Sequence, residues 1–219
     1  MSPETLRKKT SKPDFSLEKD LKVNYVAGID EAGRGPWAGP VVSAAVILTP
    51  GFFKTDLCSS IDDSKKIKPE KRETIVEKLI KLSQENPPLL YIGIGEASAQ
   101  EIDQINILEA TFLAAERALE NLPQKPQAIL MDGSLSFPYN LPVHPIVQGD
   151  QKSLSIAAAS LVAKVTRDQI MDKFAKQYPT FGWEKNKGYG TKQHQNAIAE
   201  YGVTPHHRLS FKPLQKFKR

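Results

Sequence analysis

Apolar and polar positions along the chain fall into short runs and helical stripes. Residues 1–22 are polar and charged, carry Pro3 and Pro13, and show no apolar period, which predicts a mobile arm. From Tyr25 the pattern changes. Tyr25–Ile29 is a short apolar run ended by a glycine-rich turn, and Val41–Leu48 is a longer one with β-branched residues; both predict strands. A polar loop then leads to Pro69, which suits a first helical turn. Ile75, Leu79 and Leu82 recur at helical spacing until Asn86, Pro87 and Pro88 stop them. Leu89–Gly95 predicts a third strand. A second helical stripe, Ile105, Leu108, Phe112, Ala115 and Leu119, closes before Pro123 and Pro126. Ala128–Met131 and Val143–Val147 predict two further strands, which run into Asp132-Gly133 and Gly149-Asp150. An alanine-rich helix follows over about 154–178, with Leu154, Ala158, Leu161 and Val165 as its stripe. A glycine- and lysine-containing loop covers 179–190, and a last helix spans about 191–201. There is no internal repeat.

Strands come early and then alternate with helices. That order predicts an α/β fold, a mixed five-stranded sheet flanked by helices with a small helical C-terminal segment. It is compatible with an antiparallel first half and a parallel second half, but periodicity does not fix strand direction. The 219 residues, 40% apolar and 25% charged, suit one domain over 23–219 behind the arm. No apolar run is long enough for a membrane span, and the N-terminus lacks the apolar core of a secretory signal. Cys58 is the sole cysteine, so an internal disulfide and a cysteine zinc site are excluded. A cytoplasmic monomer with no membrane partner is the expectation. The net charge of +5 points to an acidic partner, most simply nucleic acid. After Asp172 the only acids are Glu184 and Glu200, so the segment from about 179 to 219 carries most of the positive field.

Several acids share one context. Asp30 and Glu31 end an apolar strand and precede Gly33, Asp132 ends another, and Asp150 follows a third at Gly149. In open α/β sheets ligands bind beyond the carboxyl ends of strands. Carboxylates gathered there repel one another, and a hard divalent cation relieves that conflict. Such a cluster suits phosphoryl chemistry. Any single Asp-Gly at a strand end is more simply a turn. Adjacent strand residues also point to opposite faces, so Asp30 and Glu31 share a site only if the chain turns at or just after Asp30. Gly33 and Gly35 would let backbone groups approach a ligand closely, and Arg34 between them could clamp a phosphate; the plainer reading is a turn with a solvated arginine.

Other chemistries fit poorly. The glycine segment matches neither the dinucleotide fingerprint nor a P-loop. Ser43, Ser153 and Ser160 lie in no nucleophile elbow, and no histidine pair has zinc-protease spacing. His206-His207 reads as a solvated or capping loop pair, and Cys58 as a bystander.

The run from Gly28 to Val42, GIDEAGRGPWAGPVV, closely resembles the signature of type 2 ribonuclease H, the ribonuclease HII family. The resemblance continues in order through Asp63–Lys65 (DSK), Asn106–Thr111 (NILEAT), Met131–Gly133 (MDG) and Gly149–Ser153 (GDQKS). Ala157–Ser160, Ala163–Asp168, Lys187–Thr191 (KGYGT) and His207–Phe211 (HRLSF) complete it. It covers about 25–213, and so many collinear segments are specific where a lone GRG is weak.

The resemblance implies a ribonuclease H-like fold. It implies endonucleolytic hydrolysis of the RNA strand of RNA–DNA hybrids, with 5′-phosphate and 3′-hydroxyl products, and nicking of duplex DNA at embedded ribonucleotides. Asp30, Glu31, Asp132 and Asp150 match the family's catalytic, metal-binding acids, for Mg2+ or Mn2+. Gly33, Arg34 and Gly35 match the segment that senses the ribose 2′-hydroxyl, and Tyr189 the tyrosine at the RNA–DNA junction. Lys65, Lys152 and Ser153 lie in matched motifs and are expected at backbone phosphates. Asp168 is expected to pair structurally with its arginine neighbour. Trp37 and Gly190 are minor departures. Type 3 enzymes usually show Gly-Lys-Gly and an extra N-terminal domain, so Arg34 and the short polar arm favour type 2. A non-catalytic hybrid-binding protein is the other rival, against which the intact acids argue. The tail from Phe211 to Phe217 is expected to fray.

Overall fold

The computed structural model describes residues 12–64 and 67–217. Its strands are β1 Val26–Ala32, β2 Val41–Leu48, β3 Leu90–Ala97, β4 Ala128–Asp132 and β5 Val143–Ile146. They form one sheet in the order β3-β2-β1-β4-β5. β1, β2 and β3 pair antiparallel, whereas β4 pairs parallel to β1, and β5 parallel to β4. Every residue of β2 is buried, as its unbroken apolar run requires of a strand covered on both faces.

The helices are α1 Ser16–Asp20, α2 Pro69–Ser83, α3 Ala99–Glu120, α4 Leu154–Gln177, α5 Trp183–Asn186 and α6 Lys192–Tyr201. None is long and apolar enough to cross a membrane, among the described residues. α4 and α2 cover one face, where Ala44, Val46 and Leu48 meet Leu79, Ala158, Leu161 and Val162. α3 covers the other, with Ala115, Ala118 and Leu119 on Ala27, Ile29, Ala45 and Ile47. α4 is buried on all sides from Leu154 to Ala163, which accounts for its alanines: a helix packed all round has room only for small side chains where neighbours press closest. Gly28 of β1 carries this contact. A Cβ there would stand 2.3 Å from the Ser155 backbone carbon.

Several segments depart from the sequence-based expectations. Residues 1–11 of the arm lie outside the described residues, but 12–22 are docked rather than mobile. The Asp14 amide donates to the Lys152 carbonyl (3.1 Å), and the Leu154 amide to the Asp14 carbonyl (2.8 Å). Leu17 and Leu21 pack on Val26, Leu130 and Ile156. The buried Glu18 carboxylate accepts from the Ser153 hydroxyl (2.5 Å), the Ser155 hydroxyl (2.6 Å) and the Ser155 amide (3.0 Å). So few apolar residues make no period, so only tertiary contact reveals the docking. α3 is broken at Asn106 (φ 70°, ψ 167°), whose side chain caps the second half by accepting from the Leu108 and Glu109 amides. The break shifts the helical phase. Ile105 therefore leaves the expected stripe and is exposed, while Ile102 is buried.

The 179–190 segment is not a plain loop, and the tail does not fray. Short turns at Pro179–Phe181 and Lys212–Phe217 join α5 and α6 around a separate core of Met171, Phe181, Trp183, Ala197, Ile198 and Leu214. His206 and His207 belong to it, contrary to the reading of a solvated pair. His206 stacks on Phe174, and His207 is 2% exposed. Donor supply fixes the tautomers. The Thr204 amide donates to His207 Nδ1 (2.9 Å), so His207 Nε2 donates to His194 Nε2 (3.0 Å). The Trp183 indole also donates to His194 Nε2 (3.2 Å), and His194 Nδ1 donates to the Tyr189 carbonyl (3.0 Å). Neutral rings are needed throughout. Burial, followed by the neighbouring His194, holds His207 down at about 3, and burial also lowers His194 and His206.

Two outcomes follow from these contacts. Glu18→Ala removes the acceptor of two buried serine hydroxyls, which are left with only each other to donate to (3.1 Å), and should lower unfolding free energy by about 1–3 kcal/mol in a urea titration. A histidine depressed in the folded state is protonated more readily when unfolded. Its stabilising contribution is therefore complete above about pH 6.5 and is lost as pH falls toward about 3. The melting temperature should fall from about pH 7 to about pH 5, and His207→Gln should flatten that fall; equal slopes in the two proteins would contradict the neutral-ring network.

Candidate active site

The sheet opens at one place. β1 pairs with β4 only as far as Ile29 opposite Met131, while β1 continues to Ala32 against β2 alone. Past that point β4 ends at Asp132, leaving a gap at the carboxyl ends of two parallel neighbours, where the strand order departs from the chain order. Asp30, Glu31 and Asp132 stand at this gap. They line a cleft of about 340 Å³ together with Gly33, Ser64, Arg72, Ser160, Lys164, Arg167 and Tyr189.

The condition placed on Asp30 and Glu31 is met differently from expectation. The strand does not turn at Asp30; it stays paired through Ala32. Asp30 lies on the α4 face, and Glu31 lines both this cleft and a recess of about 210 Å³ on the α3 side, with Arg34, Leu108 and Leu135. The two acids share a site because β4 stops, so that the end of the sheet can be reached from both faces.

Their electrostatics are unfavourable without a partner. Asp30 is 6% exposed. Burial, then the charges of Glu31 and Asp132, hold its carboxyl well above the usual carboxylate range. The Ser160 hydroxyl and the Glu31 amide (2.7 Å) oppose this without reversing it. Burial also raises Glu31, with Asp132 adding to the rise and the Arg34 guanidinium, 3.4 Å away, opposing it. Asp132 is fixed by the Gly149 amide, which donates to its Oδ1 at 2.6 Å.

The remaining sequence-derived residues divide. Asp150 is buried in the turn Gly149–Gln151 and does not line the cleft; its neighbour Gly149 is what touches Asp132. Gly33 has φ +100°, and a Cβ there would meet Arg167 Nε at 2.0 Å, so only glycine fits. Arg34 and Gly35 are exposed, and Gly35 faces the ring of Tyr189, which is 50% exposed. Lys65 lies outside the described residues. Lys152 donates to the Val147 carbonyl (2.6 Å) and does not line the cleft. Ser153 is wholly buried, caps α4 at the Ile156 amide and donates to Glu18, so it is not exposed for a phosphate. Asp168 pairs with Lys164 (2.7 Å), not with Arg167 as expected.

Sequence reasoning passed over Ser160, Lys164, Arg167, Ser64 and Arg72 as cleft residues. For α4 a signal existed. Ser160, Lys164 and Arg167 recur at helical spacing along a helix whose first half is apolar, a polar stripe that lines the cleft. Ser64 and Arg72 carry no such signal.

Known proteins resemble the chain along most of its length. The family model described as Ribonuclease HII matches residues 27–214. A ribonuclease HII of Paramagnetospirillum magneticum is 48% identical over 94% of this chain and 98% of its own. That of Orientia tsutsugamushi is 49% identical over 91% of this chain and 92% of its own. The crystal structure of the ribonuclease H2 from Pyrococcus horikoshii superposes with a TM-score of 0.68 at 28% identity, covering 89% of this chain and 97% of that one. The chain belongs to the ribonuclease HII family and is a ribonuclease H.

Proposed function

We propose that this enzyme hydrolyses the RNA strand of RNA–DNA hybrids and nicks duplex DNA on the 5′ side of an embedded ribonucleotide, leaving 5′-phosphate and 3′-hydroxyl ends by a two-metal-ion route. The observation that carries this reading is the group of three carboxylates at the β1–β4 gap, beside a glycine-flanked loop and a half-exposed tyrosine. Asp30, Glu31 and Asp132, with Asp150 as the fourth acid, would hold Mg2+ or Mn2+.

The donor set fits such ions. Hard oxygen donors crowd together, with Asp30 and Glu31 raised by burial and by neighbouring negative charge, a conflict that a divalent charge removes. Among the described residues no three acidic, histidine or cysteine side chains close into a finished cage. A hydrated magnesium-like ion needs none, because it keeps waters and takes one or two carboxylates together with substrate phosphate oxygens. Bound there, such ions supply the charge that makes water a nucleophile and stabilises the leaving oxygen.

The chain's own groups do the rest. Arg72 and Lys164 line the cleft as cations for the flanking phosphates. The basic C-terminal segment would extend that track. Arg34 and the amides around it would read the 2′-hydroxyl that separates RNA from DNA, with the Tyr189 ring packing against the sugar at the junction.

Asp132→Asn keeps the shape but removes a charge. Cleavage of a duplex with one ribonucleotide should fall by at least about a hundredfold, while hybrid affinity holds because phosphate contacts carry it. Chelation should stop the wild-type reaction, and Mg2+ or Mn2+ should restore it. Retained turnover in Asp132→Asn would remove the metal-site assignment. Arg34→Ala should slow cleavage at a single ribonucleotide more than cleavage of an all-RNA hybrid, as measured by kcat/KM on each.

A further inference from the structure

Two arginines are among the most deeply buried side chains of the protein, Arg167 at 1% exposure and Arg208 at 0%. Among the described residues neither forms an ion pair. Each spends its donors on backbone carbonyls instead. Arg208 donates from Nε to Gly39 (2.9 Å), from one terminal nitrogen to Arg34 (3.1 Å) and from the other to Gly33 (2.6 Å). Arg167 donates to Pro40 (3.0 Å), Lys187 (3.0 Å) and Ala38 (3.1 Å). Together they grip the 33–40 loop and bind it to the loop that carries Tyr189.

Burying a guanidinium without a carboxylate is unfavourable, and burial pushes Arg208 down to about 9. An apolar residue would pack there without that penalty but would leave the three carbonyls unsatisfied. The position of Arg208 is itself secured. The Leu209 and Ser210 amides donate to the Asp103 carboxylate at 2.8 Å each, and the Arg208 amide donates to the Trp37 carbonyl at 2.8 Å.

The geometry has a consequence on the outer side of the loop. A trans peptide is planar, so its carbonyl and its N–H point opposite ways. With the Gly33 and Arg34 carbonyls turned inward to Arg208, the N–H groups of Arg34 and Gly35 turn outward. Among the described residues neither amide has an acceptor. Gly35 lies beside the Tyr189 ring, which comes within 3.5 Å of where a Cβ of Gly35 would stand.

We propose that Arg208 is a positioning residue for sugar recognition: by holding two successive peptide planes from behind, it presents the Arg34 and Gly35 amides as a fixed donor pair to the 2′-hydroxyl at the cleavage site. The inference rests on the function proposed above and deepens it. Arg208 touches no substrate and acts only through the loop.

Arg208→Lys tests this, because one ammonium cannot reproduce a fork that reaches three carbonyls. The measurement is equilibrium binding, with chelator present, of a DNA duplex carrying one ribonucleotide and of the all-DNA duplex of the same sequence. Wild type should prefer the ribonucleotide duplex. Arg208→Lys should lower that preference about tenfold, the scale of losing a well-formed hydrogen bond, while affinity for the all-DNA duplex stays unchanged. If Arg208→Lys does not fold, Asp103→Asn, which frees residues 209–210, is measured the same way with the same expectation. A preference equal to that of wild type, or an equal loss for both duplexes, would overturn the positioning role and leave the proposed function standing. A wild-type protein with no preference would overturn the ribose-reading function and this inference with it.

Discussion

The close seating of α4 on β1 is the constraint from which the rest of the site follows. Gly28 lets the helix backbone settle against the strand, and the alanines over 157–159 keep it there. Ser160 then reaches Asp30, Lys164 faces the cleft, and Arg167 reaches over the end of the sheet to Pro40 and Ala38. The other end of the helix contact is equally determined. Ser153 caps α4 and is held by Glu18, and the turn before it delivers the Gly149 amide to Asp132. A wider helix–sheet spacing would take Ser160 away from Asp30 and the Gly149 amide away from Asp132. Interiors pack at crystal-like density, so such a shift would also open a void.

The site joins two opposite electrostatic arrangements. On the sheet side, Asp30 and Glu31 are crowded and raised, a conflict that a cation would relieve. On the loop side, guanidinium groups are buried among carbonyls and lend their charge to backbone dipoles. The loop lies between the two, with Arg34 leaning toward Glu31 at its tip and Arg208 behind it. In the proposed function, metal chemistry at Glu31 and sugar reading at Arg34 and Gly35 would be separated by only a few residues of backbone.

Much of the framework was legible in the sequence. Continuous apolar runs marked β1, β2 and β4, because strands buried on both faces have little room for polar residues, and a run with Gly93 and Gly95 marked the half-buried edge strand β3. The placing of Asp30, Glu31 and Asp132 at the ends of such runs was legible, whereas Asp150 sits in a buried turn that does not line the cleft. Other features were hidden for physical reasons. Strand direction depends on partners, not on the strand itself. Asn106 breaks α3 while its own side chain caps the next turn, so the apolar stripe runs through a phase change that it does not report. Glu18, Ser153 and His207 look like surface residues by type and are buried because each finds a specific partner. Arg208 is hardest to foresee, since its partners are carbonyls and backbone carbonyls leave no mark on a sequence. The convergence of Asp30 and Glu31 was expected to need a bend; it came from the end of the neighbouring strand, a property of β4 rather than of β1.

The way Arg208 and Arg167 are bound has a consequence for ionic strength. Surface ion pairs and phosphate contacts weaken as salt screens them, and duplex binding by exposed lysines weakens with them. Hydrogen bonds from a buried guanidinium to backbone carbonyls are reached by no mobile ion. Under the proposed function, rising salt would detach the nucleic acid while the loop that Arg208 holds keeps its shape. Under the proposed function, affinity and discrimination would be governed by different solution variables, and the protein would release and rebind its substrate across a range of salt without rebuilding the surface assigned to telling ribose from deoxyribose.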